Sequence, residues 1–149
     1  MNDPRPPRYL KPMNALMKAV QKLGIPTGPA MVLTVPGRRS GQPRSTPMTP
    51  FHVRGALYVV AGYPGADWAA NARAAGTGTL ARGRRRRQVR IVELNSDDAR
   101  PVLREFPAKV PVGVAFAKRS GLVRNGTAAE FEALAGRLAV FRFDPVEQT

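Results

Sequence analysis

Residues 30–61, AMVLTVPGRRSGQPRSTPMTPFHVRGALYVVA, decide how this chain folds. Ala30–Val35 is short, apolar and rich in β-branched side chains, which predicts a strand. Pro36–Arg44 (PGRRSGQPR) is built from turn formers and predicts a connection. Ser45–Val53 returns as a second strand, interrupted by Pro47 and Pro50. Arg54–Gly55 then supplies a tight hairpin turn, and Ala56–Ala61 (ALYVVA) is the third strand. Proline donates nothing to a ladder, so two of them in one strand predict an edge, a bulge or backbone left to meet a ligand.

The same alternation of strands and turns continues downstream. After the loop Gly62–Gly65, Asp67 is placed to cap a short helix from Trp68 to about Ala75. Thr77–Arg82 and Gln88–Leu94 pair as a second hairpin through the basic segment Gly83–Arg87. Ser96 is set as the N-cap of a helix carrying Val102, Leu103 and Phe106, with Pro107 ending it. Asp97 and Asp98 fall in its first turn, where the helix dipole favours them. Helical patches follow at Val112–Lys118 and Ala128–Leu134, the second with Thr127 and Glu130 as a capping box. Leu138–Phe143 closes as a strand.

Upstream, Met13, Leu16, Met17, Val20 and Leu23 recur at three- and four-residue spacing, an amphipathic helix over Tyr9–Leu23 stopped by Gly24 and Pro26. Residues 1–8 form a proline-rich arm and residues 9–149 a single domain. Five or six mainly antiparallel strands with helices around them predict an α+β fold, most simply a small β-barrel with peripheral helices.

Charge and composition narrow the chemistry. Across 149 residues, 24 Lys and Arg stand against 10 Asp and Glu, a formal net charge of +14. Such a surplus suits nucleic acid, anionic lipid or a small polyanionic ligand. The absence of cysteine rules out disulfides and thiolate chemistry, and fits a reducing, cytoplasmic setting. A single histidine argues against a His-based metal site or a Ser–His triad. No apolar run approaches the ~20 residues of a membrane span, although lysines beside the N-terminal stripe keep peripheral membrane contact through that helix open. Nothing in the pattern sets an oligomeric state.

The distribution of arginine matters more than its number. Arg84–Arg87 sits where a hairpin turns and is explained by a solvated tip that protects an edge. No aromatic residue lies between Trp68 and Phe106 to stack on bases, so nucleic acid is not an expected partner. His52 lies in a strand as an ordinary surface or structural histidine, and the paired acids Asp97/Asp98 and Glu130/Glu132 belong to helices. In contrast, Arg38, Arg39, Ser40 and Arg44 stand among Gly37, Gly41, Gln42 and Pro43, where forked donors and exposed backbone N–H groups can cradle a phosphate.

LTVPGRRSGQPRSTPM followed by LYVVAGYPGADWAANARAAG resembles the deazaflavin-dependent nitroreductase family of actinobacteria. That family typically shows a T-x-G-R-K/R-S/T-G-x-x-R segment, a strand ending in a small-residue loop, and a W-x-x-N helix. The likeness runs from about Ala30 to Phe143. It implies a split β-barrel of the FMN-binding type that holds coenzyme F-420, an 8-hydroxy-5-deazaflavin with a polyanionic tail, in preference to FMN. By motif, Arg39, Ser40, Gly41 and Arg44 would meet the phosphate, with Arg38 and Gln42 beside them. Thr46, Pro47 and Met48 would lie along the ring, and Ala61, Gly62 and Tyr63, in the loop to Gly65, would face its other edge. Trp68 and Asn71 would steady the phosphate side, and Tyr63 is the candidate proton donor or substrate contact. The implied activity is hydride transfer to a small organic acceptor: a quinone, an activated enone or a nitro compound. Members active on nitroimidazoles often carry Ser where this chain has Gly62 and an aromatic residue near Thr49. A binder of the coenzyme or of a lipid-like ligand, without catalysis, is the other reading of the same motifs.

Overall fold

The computed structural model describes residues 30–146; the expected arm and the Tyr9–Leu23 helix lie outside them. In chain order the elements are β1 (Met31–Pro36), β2 (Pro43–Met48), β3 (Phe51–Val53), β4 (Ala56–Val60) and α1 (Asp67–Ala75). Then come β5 (Thr77–Arg82), β6 (Arg85–Glu93), α2 (Ser96–Lys109), α3 (Pro111–Arg119), α4 (Ala128–Glu132) and β7 (Val140–Pro145). The seven strands form one sheet in the order β2-β1-β5-β6-β7-β4-β3, antiparallel throughout. The count exceeds the expected five or six because Ser45–Val53 is not one strand.

That difference determines the architecture. β2 and β3 occupy opposite edges of the sheet, yet only Thr49 and Pro50 separate them in the chain. Three Cα–Cα steps span at most about 11 Å. The two edges must therefore meet at this seam, and the sheet curls into a split barrel with the helices outside. Pro50 is buried at the break, where it has no N–H to lend to a ladder. The Arg54–Gly55 turn has both residues at positive φ (51° and 84°), the geometry of a two-residue hairpin, and Arg54 bears it without being glycine.

Alternation along the strands sends two sets of side chains to two cores. Leu33, Leu80, Val89, Phe141 and Phe143 fill the barrel, with Ala69 and Ala72 of α1 packed on them. On the other side Phe51, Val140 and Leu138 join Leu103, Phe106 and Phe131 from the helices. The rings of Phe51 and Phe106 stand 5.6 Å apart edge to face, and those of Phe106 and Phe131 5.1 Å apart. Such aromatic pairs favour these offset geometries.

Several local expectations shift by a residue or more. Asp67 is the first residue of α1, whose N-cap is Ala66 without a side-chain bond. Asn95, not Ser96, caps α2 by accepting the Asp98 N–H at 2.8 Å. Pro107 does not stop that helix: near the last turn it removes a single donor, and Val110 N–H still reaches the Phe106 carbonyl at 2.8 Å. Only Gly83–Arg84 turns the second hairpin, so Arg85–Arg87 belong to β6. The capping box stands as expected, but α4 ends at Glu132, and the last strand runs from Val140 to Pro145. Among the described residues no helix is long and apolar enough to cross a membrane.

Two consequences are measurable. A Cβ at Gly78 would lie 2.8 Å from Val35 Cγ1 and 3.0 Å from the Thr34 carbonyl oxygen. Gly78→Ala should therefore lower unfolding free energy by about 1–3 kcal/mol in denaturant titration, since β1 and β5 cannot separate without breaking their ladder. Glu130 accepts backbone N–H groups from Thr127, Arg124 and Asn125, bonds that push its carboxyl down to about 2. The stabilisation exists above the unfolded carboxylate range, about pH 4.3, and is lost as pH falls toward the folded value. Glu130→Gln should thus melt below the parent at neutral pH, and the two melting curves should converge as pH drops below about 4.

Candidate functional site

The β1–β2 connection closes on itself before anything binds it. Gly37 N–H donates to the Gln42 carbonyl at 2.8 Å, and Gly41 N–H to the Gly37 carbonyl at 2.9 Å. Gly41 sits at φ 73°, where a side chain would be strained, and Ser40 Oγ accepts the Gln42 N–H at 3.2 Å. Gly41 and Gln42 therefore shape the turn.

α1 fixes this loop from below. Asn71 is only 8% exposed, and its Oδ1 accepts both the backbone N–H of Arg38 (3.1 Å) and Arg38 Nη1 (2.8 Å). The same guanidinium reaches the Asp67 carbonyl at 3.4 Å and Asp67 Oδ1 at 3.5 Å. Arg38 is thereby committed to the helix. Arg39 and Arg44 have no hydrogen-bond or ion-pair partner among the described residues, and no partner there takes the Asn71 amide N–H groups.

Three neighbouring hollows share lining residues from this point. Arg39, Ser40 and Arg44 border a depression of about 380 Å³ with Asn71 in its wall. Arg44, Asp67 and Asn71 also border a second hollow of about 280 Å³, which extends along Ser45 and Thr46 to Trp68. Trp68 in turn borders an apolar cleft of about 300 Å³. Its ring is held 5.6 Å from that of Phe141, which has no exposed surface, so the indole is a fixed divider. Along β2, Ser45 and Thr46 border the second hollow, and Pro47 and Met48 border the cleft.

The cleft lies at the barrel seam. Pro47, Met48 and Thr49 come from one edge, and Ala61, Gly62 and Tyr63 from the segment that follows β4. The third wall is α3, through Val112, Gly113 and Phe116, and none of these was among the expected site residues. The signal available in the sequence was Pro111 opening an otherwise apolar run. Gly113 lets α3 approach α2, for a Cβ there would collide with the Phe106 ring. A Cβ at Gly62 would meet Phe116 Cε1 at 3.6 Å, an ordinary contact.

Tyr63 borders both this cleft and a polar cavity of about 320 Å³ behind α1, where Gly65 also lies, away from the cleft. There Arg73 donates to both carboxylate oxygens of Glu93 at 2.7 and 2.6 Å. Burial first, and the negative charge of Asp67 second, raise the Tyr63 phenol above its ordinary value, so it keeps its proton at neutral pH. His52 is exposed on edge strand β3, outside all of these hollows. Among the described residues no cluster of side chains could hold a metal ion. Together the hollows suit a ligand with a flat apolar body and an anionic tail.

Comparison with known proteins bears on the fold and the family. Among solved structures, the heme storage protein HutZ from Vibrio cholerae superposes with a TM-score of 0.56 at 9% identity, covering 90% of each chain. A NimC/NimA family protein from Clostridium acetobutylicum gives 0.52 at 18% identity, over 87% of this chain and 81% of that one. A chain described as a domain-swapped dimer gives 0.50 at 17%, over 91% and 99%. At such identities these likenesses concern the fold alone. No curated protein matches the sequence. The family model described as F420H(2)-dependent quinone reductase matches residues 13–122, which takes in the basic loop, the seam, Trp68 and Asn71. The chain therefore belongs to the F420H(2)-dependent quinone reductase family, and is a reductase that uses coenzyme F-420.

Proposed function

We propose that the chain reduces a quinone at the seam cleft, with the coenzyme laid along the three hollows. The observation that carries this reading is the pair Arg39 and Arg44, left without partners at one end of a groove whose other end is apolar. The residues fit the coenzyme: unneutralised guanidiniums and the spare Asn71 amide suit its anionic tail, and the cleft suits its ring. Reduced F-420 supplies a hydride from its deazaflavin ring.

The chain's own groups do the rest. Arg39 and Arg44 bind; Arg38, pinned by Asn71, positions the loop and does not itself reach the tail. Trp68 and the α3 wall keep the ring in a fixed place and exclude water. Converting a quinone to its hydroquinone consumes one hydride and one proton, and the protonated Tyr63 phenol borders the cleft to supply the latter. An activated enone needs the same pair. A nitro acceptor is disfavoured by Gly62 and Thr49, which replace the residues expected beside it.

Titration by deazaflavin fluorescence tests the groove. Arg39→Ala and Arg44→Ala should each weaken binding about tenfold or more, the loss expected for a charge-assisted bond. Asn71→Ala should both weaken binding and lower the melting temperature, because Arg38 loses its acceptor. Absence of saturable binding by the parent at micromolar protein would overturn the assignment of the groove. Binding without oxidation in the presence of quinone, enone or nitroaromatic acceptors would make the chain a carrier of the coenzyme instead.

Acceptor choice has its own test. Gly62→Ser has room at its Cβ, so coenzyme affinity should hold while KM for a bicyclic quinone rises several-fold relative to a monocyclic one. Equal KM changes for both quinones would place the acceptor elsewhere.

A further inference from the structure

Tyr63 stands in a partition. The seam cleft and the polar cavity behind α1 have three lining residues in common, Ala61, Tyr63 and Leu138. Ala61 and Leu138 are buried hydrocarbon, which leaves Tyr63 as the one polar side chain shared by the two spaces among the described residues. Its hydroxyl has no hydrogen-bond partner there. Every charged group that borders either space lies on the cavity side: Arg38, Asp67, Arg73, Glu93 and Arg137. Two of them are tied up, Arg38 by Asn71 and Glu93 by Arg73, which donates to both its oxygens at 2.7 and 2.6 Å. Asp67 is freer, with its side chain 91% exposed and its contact to Arg38 a long 3.5 Å. Ser96 is exposed as well, and its hydroxyl has no partner among the described residues. With such walls, a cavity of about 320 Å³ is polar and roomy enough to hold water.

Burial and the Asp67 charge both disfavour a Tyr63 phenolate, so a proton given up toward the cleft has to be replaced promptly. With a coenzyme ring and an acceptor filling the cleft, water cannot replace it from the front. We propose that Tyr63 is a two-sided proton donor, refilled from behind α1 by water held in the cavity between Asp67 and Ser96. The inference rests on the reading of Tyr63 as donor given above, and adds the route by which its proton returns. In that step the quinone accepts the hydride, and the Tyr63 O–H bond breaks as the O–H bond of the hydroquinone forms. A cavity water then passes a proton to the phenolate oxygen and regains one from bulk solvent past the exposed Asp67. Hydride and proton thus reach the acceptor from different sides of the barrel wall, and the cleft stays dry throughout.

Plugging the cavity tests the route. Ala70 borders the cavity and none of the other three hollows, so Ala70→Leu displaces water without entering the coenzyme groove. Ser96→Leu does the same from α2, and Ala70→Ser is the conservative control. The first readout needs no coenzyme: ultraviolet pH titration of the full chain, with the Tyr63 phenol identified by difference from Tyr63→Phe. The phenol should titrate at higher pH in both Leu variants, because water leaves its rear side, and at lower pH in Asp67→Asn, because a negative charge is gone. The second is single-turnover reduction of a water-soluble quinone. Both Leu variants should be slowed about tenfold or more at unchanged coenzyme affinity, and Ala70→Ser should match the parent. Rates in H2O–D2O mixtures should curve for the parent, where two protons move, and become linear for the Leu variants. An unchanged phenol titration together with parent rates in the Leu variants would overturn the rear route, even with Tyr63→Phe slow. A parent rate in Tyr63→Phe would overturn the donor role itself, and the route with it.

Discussion

A two-residue link, Thr49–Pro50, has to bridge the opposite edges of a seven-stranded sheet. Everything else in the molecule follows from that constraint. A flat sheet would separate β2 from β3 by six strand spacings, roughly 29 Å at about 4.8 Å each, which no two-residue link can cross. The sheet must curl until the edges face each other, and the seam is where backbone pairing ends. Pro47, Met48 and Thr49 on one side and Ala61 and Gly62 on the other are brought face to face there, and the gap between them is the cleft. The site is therefore a by-product of closure, located where a barrel lacks continuous hydrogen bonding.

Electrostatic roles divide along the same geometry. Three arginines sit within seven residues of the β1–β2 loop, yet they are not equivalent. Asn71, buried under the loop, spends its carbonyl oxygen on Arg38, which leaves the loop rigid and the neighbouring guanidiniums free. Arranging free cations around a preformed turn lowers the cost of ordering them when an anion arrives. The denser run Arg84–Arg87 is mostly strand, stands at the far end of β1 and takes no part in the groove. A net charge of +14 thus has at least two separate origins, a dense one on the β5–β6 hairpin and a sparser one at the β1–β2 turn.

Much of this was legible before folding. The strands around PGRRSGQPR, the hairpin at Arg54–Gly55, the capping box at Thr127–Glu130 and the grouping of Arg39, Ser40 and Arg44 all follow from local rules. Each depends on residues close in sequence. The errors have a common cause. Asp67 and Ser96 were plausible caps by residue type, but cap position is set by where neighbouring elements pack. Pro107 was a plausible stop, but near a helix end it removes one donor that the last turn does without. Ser45–Val53 looked like one strand because nothing local says which edge a strand will join.

The amino-acid sequence by itself determined the order of most elements, the turn that closes the basic β1–β2 loop, and the family to which the chain belongs, because turn chemistry and motif spacing act over a few residues. Tertiary structure alone decided that β2 and β3 part to opposite edges, that Arg38 is held by Asn71, and that α3 walls the cleft. Those outcomes depend on contacts between residues tens of positions apart. They are settled by chain closure and by which buried donors and acceptors find each other, and no local pattern encodes that choice.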